Sequence, residues 1–69
     1  MRVMEANAYS VQVANEGGWS VRILDPTGGP VFTRACGGEE EARTFASTVR
    51  QHIDWLSPEK FRAYYRLEA

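Results

Sequence analysis

The stretch Glu39–Leu56, EEEARTFASTVRQHIDWL, decides the fold because its apolar residues recur every three or four positions. On a helix this spacing gathers them into one stripe, which consists of Ala42, Phe45, Ala46, Val49, Ile53 and Leu56. The three glutamates at its start favour the positive end of a helix dipole, and Glu39 and Arg43 stand four apart in the stabilising order. The stretch predicts a helix over residues 39–56 that covers a sheet formed by the preceding residues.

Three segments before this helix alternate apolar and polar residues, as strands with one solvated face do. They are Tyr9–Val13, Trp19–Leu24 and Val31–Cys36. The turn sequences NEGG (15–18) and DPTGGP (25–30) separate them, so the strands should follow one another in antiparallel order. Residues 1–8 are expected to form a lead-in to the first strand.

The third strand can be oriented in two ways. In one, Phe32 and Arg34 face the helix, which costs free energy unless the guanidinium is paired or reaches solvent at a strand end. In the other, both side chains join Arg22 on the open face of the sheet. The residues facing the helix would then be Val31, Thr33 and Ala35. We favour the second arrangement, because burying an unpaired guanidinium costs more than exposing one phenylalanine.

Ser57 and Pro58 interrupt the long helix. Proline disfavours helical geometry in the residue before it, and serine followed by proline is typical of an N-cap and a first helical position. The sequence therefore predicts a short second helix over residues 58–67. The side chains that share one side of this helix are Phe61, Tyr64, Tyr65 and Glu68.

These elements predict an α+β fold: a three-stranded antiparallel β-sheet (a meander) packed against one long α-helix, followed by a short C-terminal helix. The 69 residues form a single small domain, near the lower size limit for folding around one core. The predicted core consists of Val11, Val13, Trp19, Val21, Ile23, Phe45, Val49, Ile53 and Leu56.

Composition argues against several classes of protein. A formal net charge of -1 disfavours extensive neutralisation of phosphates. The single cysteine, Cys36, cannot form an intrachain disulfide, and no stretch approaches the roughly 20 apolar residues of a membrane span. We therefore expect a cytoplasmic protein with no membrane partner.

The chain also lacks a recognisable catalytic or metal-binding set. His52 is the only histidine, and Cys36 has neither CxxC spacing nor a histidine beside it in sequence. The glycine pairs do not match a phosphate-binding loop. We expect no enzymatic activity, no metal and no cofactor.

The open face of the predicted sheet is one candidate contact surface. In the favoured arrangement it displays arginines beside an aromatic ring and an amide, groups that stack on bases or hydrogen-bond to nucleic acid. The candidate nucleic-acid-binding residues are Gln12, Arg22, Phe32 and Arg34. The alternatives, which we favour, are a solvated sheet face or one covered by a partner subunit.

A second candidate contact surface lies near the end of the long helix. Trp55 stands well away from the apolar stripe, and tryptophan and tyrosine are favoured anchors of protein interfaces. The candidate protein-binding residues are Trp55, Tyr64, Tyr65, Arg62 and Arg66. The alternative, which we favour, is that the short helix folds back onto Trp55 and forms a small aromatic cluster with it.

From these surfaces we expect a small non-catalytic intracellular binding module whose partner is another protein or a second copy of the chain. The alternative is an accessory domain that binds DNA or RNA through the open face of the sheet.

The middle of the chain also resembles a known pattern. Residues 18–23 (GWSVRI), Asp25 and Gly28 in the following turn, and Glu41, Ala42 and Phe45 at the helix start carry the resemblance. They are similar to AP2-like domains and to the N-terminal domains of arm-type integrases, and to small bacterial domains of unknown function built on the same plan. The resemblance spans roughly residues 9–53. It implies the three-strand-plus-helix fold, with DNA contacts from the sheet at the positions of Arg22 and Arg34.

Overall fold

The computed structural model describes residues 7–67. In chain order these residues form β1 (Ser10–Asn15), β2 (Trp19–Leu24), β3 (Pro30–Ala35), α1 (Glu39–Trp55) and α2 (Pro58–Tyr65). The strands make one antiparallel sheet in the order β1-β2-β3, so the predicted α+β fold is confirmed. Most of the predicted lead-in and Glu68 lie outside the described residues. Within residues 7–67, no helix has the length and apolar content to cross a membrane.

The turn between β2 and β3 is organised by one carboxylate. Oδ1 of Asp25 accepts hydrogen bonds from the Thr27 hydroxyl (2.7 Å), the Thr27 amide (3.0 Å) and the Gly29 amide (2.8 Å). These bonds, the Thr27 hydroxyl first, hold the pKa of Asp25 below its usual value. Gly28 lies at φ 91°, where a side chain would be strained. The sequence DPTGG therefore closes the turn through its own side chains.

Both helices begin at the predicted residues, but α1 ends at Trp55 and not at 56, and α2 ends at Tyr65 and not at 67. At the start of α1, Glu41 accepts a hydrogen bond from the Gly37 amide (2.9 Å), and Arg43 pairs with Glu39 (2.8 Å) as the spacing predicted. At the start of α2, the Ser57 hydroxyl accepts a hydrogen bond from the Lys60 amide (3.3 Å). Ser57 and the proline that follows it thus determine where the chain changes direction between the two helices.

The core forms where α1 and α2 cover the sheet. Ala42 and Ala46 of α1 pack on Val21, and their small size allows the helix to lie close to the strand. Farther along α1, Val49 packs with Ile23 of β2 and Phe61 of α2, and all six of these side chains are fully buried. Predicted core residues that are only partly buried are Val11, Val13, Trp19, Phe45, Ile53 and Leu56. The predicted core omitted Phe61, whose burial contributes about 1.5 to 3 kcal/mol.

The favoured orientation of β3 is wrong. Phe32 pairs with Ile23 and Arg34 pairs with Val21, so both lie on the face that α1 covers. Thr33 and Ala35 pair with Arg22 and Ser20 and are exposed on the opposite face, and Val31 is exposed at the register irregularity opposite Ile23 and Leu24.

The physical reason is that Arg34 faces the helix without being buried. α1 lies over β1 and β2 and makes no close backbone approach to β3 within the described chain, so the inner side of this edge strand stays open to solvent. The Arg34 guanidinium remains exposed and lies over the Phe45 ring, 4.8 Å from its centroid. This orientation therefore avoids the free-energy cost of desolvating the Arg34 guanidinium. Phe32, in the same strand, packs against Phe45 and Tyr65.

Candidate protein-binding surface

Trp55 is the most exposed large apolar side chain in the part of the protein that the structure describes. It occupies the last position of α1, and 74% of it is accessible to solvent. The core-facing positions of the helix lie on the opposite side, so packing of α1 onto the sheet leaves the indole outside. Its exposure thus follows from helix periodicity.

His52 links α1 to the second helix through contacts with Tyr64 and Tyr65. It lies one turn before Trp55 on the same side of α1 and is half-buried. Its Nδ1 is 2.6 Å from the Tyr65 hydroxyl, and its ring centroid is 4.6 Å from that of Tyr64. Tyr64 itself is 62% exposed. We call His52, Trp55 and Tyr64 the aromatic surface.

Tyr65 supports this surface from beneath. Its ring packs against Phe32, Phe61, His52 and Tyr64, with centroid distances between 4.9 and 5.9 Å. Burial, and secondarily the neighbouring Tyr64, raises the pKa of the Tyr65 hydroxyl. The predicted binding residue Tyr65 is thus mainly a packing residue that holds His52 and Tyr64 in place.

The prediction that α2 folds back onto Trp55 is wrong. α2 does fold back, but it places Phe61 between Ile23 and Val49, and Tyr9 packs against the Phe61 ring (5.1 Å between centroids). This apolar burial sets the position of α2. The aromatic cluster consequently forms over the sheet and leaves Trp55 outside it.

Basic side chains flank the aromatic surface on α2. Lys60 is exposed and stands four residues before Tyr64, on the same side of the helix. Arg66 is exposed at the C-cap, with φ 56° and ψ 47° in the left-handed region. Arg62, the other predicted basic residue, is half-buried. Lys60 was not among the predicted residues, although its spacing from Tyr64 could have indicated it.

The four candidate nucleic-acid residues do not form one surface. Gln12 and Arg22 are neighbours across β1 and β2 on the open face, where Arg22 pairs with Glu16 (3.4 Å). Phe32 and Arg34 lie on the other face, as described above. The stacking surface that favoured nucleic acid is therefore divided between two sides of the sheet.

A shallow cleft of about 510 Å³ lies between β3 and the first half of α1. It is lined by Arg34, Glu40, Glu41, Thr44, Phe45 and Thr48. Within residues 7–67, no group of three or more histidine, cysteine or acidic side chains is placed to hold a metal ion. The cleft brings together one guanidinium, two carboxylates and two hydroxyls, without a nucleophile paired to a base.

Comparison of the chain with protein-family models, curated proteins and solved structures found no match. The resemblance to AP2-like and arm-type integrase domains stays a prediction. The function of this chain is therefore inferred from its own exposed surfaces.

Proposed function

We propose that the protein is a small non-catalytic binding module whose aromatic surface receives a segment of another protein. The observation that carries this proposal is the 74% exposure of Trp55 at the end of α1, together with the 62% exposure of Tyr64 on α2. Tryptophan and tyrosine carry much of the free energy at protein interfaces because they bury a large area at little cost in conformational entropy.

The corner between the two helices also holds Tyr64 and His52 in place before any partner binds, while the Trp55 indole stays exposed. Tyr64 is fixed against His52, and His52 is fixed by the Tyr65 hydroxyl. Phe61 anchors α2 in the core beneath them. Binding therefore orders few additional groups, which lowers the entropic cost of association.

Charge defines the partner more narrowly. Lys60 and Arg66 are exposed and stand four residues before and two residues after Tyr64, so α2 carries positive charge on both sides of Tyr64, while exposed Asp54 precedes Trp55 on α1. A complementary segment would place an apolar or aromatic side chain against Trp55 and carboxylates toward the two basic residues. We therefore infer an acidic peptide segment with one large apolar anchor.

A display library of random twelve-residue peptides provides the test. Selection on the full chain should return acidic peptides with one large apolar residue. Trp55→Ala should weaken their binding at least tenfold, because a buried tryptophan anchor contributes about 2 kcal/mol or more. Its thermal unfolding should stay unchanged, because the indole takes no part in the aromatic packing of the described residues.

Val31→Ala serves as a matched control, since Val31 is an exposed apolar residue (37%) that lies on β3 and not on either helix. Peptides that bind Trp55→Ala as tightly as the unaltered protein would contradict the proposal. Peptides whose binding depends on Val31 and not on Trp55 would place the interface on the sheet.

A further inference from the structure

The two edges of the sheet differ in how well they are protected against pairing with another strand. β3 begins with Pro30, carries the inward-pointing charge of Arg34 and has an irregular register opposite Ile23 and Leu24. Prolines, irregularities and inward charges discourage a further strand from adding to an edge. β1, with the sequence SVQVAN, contains no proline and no charged residue, and its register with β2 is regular.

The hydrogen-bond pattern identifies the free groups on β1. The Cys36 amide donates to the Trp19 carbonyl (2.9 Å), so alternate residues of β2, namely 19, 21 and 23, direct their backbone groups toward β3. The residues between them bond to β1. Val11 and Val13 therefore direct their N–H and C=O groups outward, along an edge that no other strand of residues 7–67 covers.

A charged pair on α1 lies above this edge. Arg50 and Asp54 line a recess of about 280 Å³ together with Tyr9, Ser10, Val11 and Ile53. Both charged side chains are exposed, and neither forms an ion pair with any residue the structure describes. Arg50 and Asp54 are four residues apart on α1. If a second copy were related to the first by a two-fold axis passing between them, Arg50 of each copy would lie opposite Asp54 of the other.

We propose that the protein self-associates through β1, with Val11 opposite Val11 of a second copy, to form a continuous six-stranded sheet. Ser10 then lies opposite Gln12 of the second copy, so two polar side chains face each other. The Tyr9 side chain lies beside Val13 of the second copy, a favourable combination of an aromatic and a β-branched side chain. The Tyr9 amide donates to Oδ1 of Asn7 (3.0 Å) and so does not extend the hydrogen-bond ladder. The two-fold symmetry is that of the commonest homodimers.

The helices fit this arrangement. Strands lie about 4.8 Å apart, and α1 sits over β1 and β2, so the two copies of α1 would run side by side with axes about 10 Å apart. That separation is within the usual range for packed helices. The C-terminal part of α1 lies over the start of β1, which places Arg50 beside Asp54 of the second copy.

The charges also favour this register over its neighbour. Moving the two-fold axis from Val11 to Gln12 shifts it along the strand by the rise of one residue, about 3.3 Å. This distance equals the rise of about two residues along α1. Arg50 would then approach Arg50 of the second copy, and the like charges would repel.

Sedimentation equilibrium of the full chain at low salt tests the proposal through charge reversal. Arg50→Asp should weaken dimerisation at least tenfold, because two attractive contacts become repulsive. The double variant Arg50→Asp, Asp54→Arg should restore the dissociation constant to within about threefold. Thr44→Asp, which adds a negative charge in the cleft beside β3, should leave it unchanged. A protein that is monomeric up to millimolar concentration, or a dimer that Arg50→Asp does not weaken, would overturn the proposal.

Amide hydrogen exchange identifies the edge independently. Exchange at Val11 and Val13 should slow as protein concentration rises, whereas exchange at Thr33 and Ala35, on the free edge of β3, should not. Concentration-dependent protection at Thr33 and Ala35 in place of Val11 and Val13 would show that association uses the other edge.

Discussion

At the scale of single residues, Arg66 carries local strain. Its φ of 56° lies in the left-handed region, which costs a side chain about 1 kcal/mol and which glycine adopts freely. The conformation ends α2, because the Leu67 amide donates a hydrogen bond back to the Arg62 carbonyl (2.8 Å) while Leu67 packs against the core cluster of Ile23, Val49 and Phe61. The Arg66 side chain is exposed, so its charge is accessible to an acidic partner.

Arg66→Gly separates these two roles. We expect the substitution to raise the free energy of unfolding by about 0.5 to 1 kcal/mol by relieving the strain. It should also weaken binding of the selected acidic peptides, because a flanking charge is removed. Urea unfolding and peptide titration of the same variant measure both effects. A variant that is less stable and binds peptide equally well would contradict this account of Arg66.

The raised pKa of Tyr65 predicts a loss of stability in alkali. The folded state holds the hydroxyl proton more tightly than the unfolded state does, so ionisation favours unfolding. This contribution to stability is complete below the unfolded pKa of about 10 and is lost as pH rises through the folded pKa. Tyr65→Phe should therefore flatten the fall in melting temperature between about pH 9 and pH 11.

Tyr64→Phe is the matched control, because Tyr64 contributes only the smaller of the two causes that raise the Tyr65 pKa. Its melting temperature should keep most of the alkaline slope. The same slope in Tyr65→Phe as in the unaltered protein would show that Tyr65 does not titrate differently in the two states.

At the scale of elements, the orientation of β3 can be tested with neighbouring residues. Phe32 packs against Phe45 and Tyr65, so Phe32→Ala should lower the free energy of unfolding by about 2 kcal/mol, less than for a fully buried ring. Val31→Ala, at the exposed register irregularity of β3, should change it by less than about 0.5 kcal/mol. Urea unfolding of both variants measures the difference. A larger loss for Val31→Ala would restore the orientation that the sequence favoured.

The elements themselves could be predicted from the sequence because their signals are local. Ser57 and Pro58 mark the start of α2, and Asp25 and Gly28 mark the turn before β3. The orientation of Arg34 could not be predicted, because it depends on where α1 lies over the sheet. The apolar stripe of α1 can be read from the sequence, but the lateral position of the helix over the sheet cannot. That position decides whether an inward-facing guanidinium is buried or exposed to solvent.

Only part of the candidate site could be predicted from the sequence, because the rest depends on how the two helices are placed. Trp55 was recognised as standing away from the stripe, since that depends only on helix periodicity. Its exposure depends also on α2, whose position is set by burial of Phe61 against Ile23 and Val49. His52 is the only histidine in the sequence, and no local pattern indicates its contacts. Its contact with Tyr64 requires the two helices to be placed in three dimensions.

At the scale of the whole molecule, the two proposals use different sides of α1. The aromatic surface lies on its outer side and its C-terminal end, whereas Arg50 and Asp54 lie along the side above β1. A pair of molecules joined at β1 would therefore present two aromatic surfaces, and a partner with two acidic segments would bind with increased avidity.

The most direct test of the proposed function is the solvent accessibility of Trp55. In the Trp19→Phe variant Trp55 is the only tryptophan, so acrylamide quenching of its fluorescence reports on this side chain alone. We predict strong quenching in the free protein and clear protection when a selected acidic peptide is added. An indole that is already shielded in the free protein, or one whose quenching is unchanged by a bound peptide, would contradict the proposal that Trp55 anchors a partner.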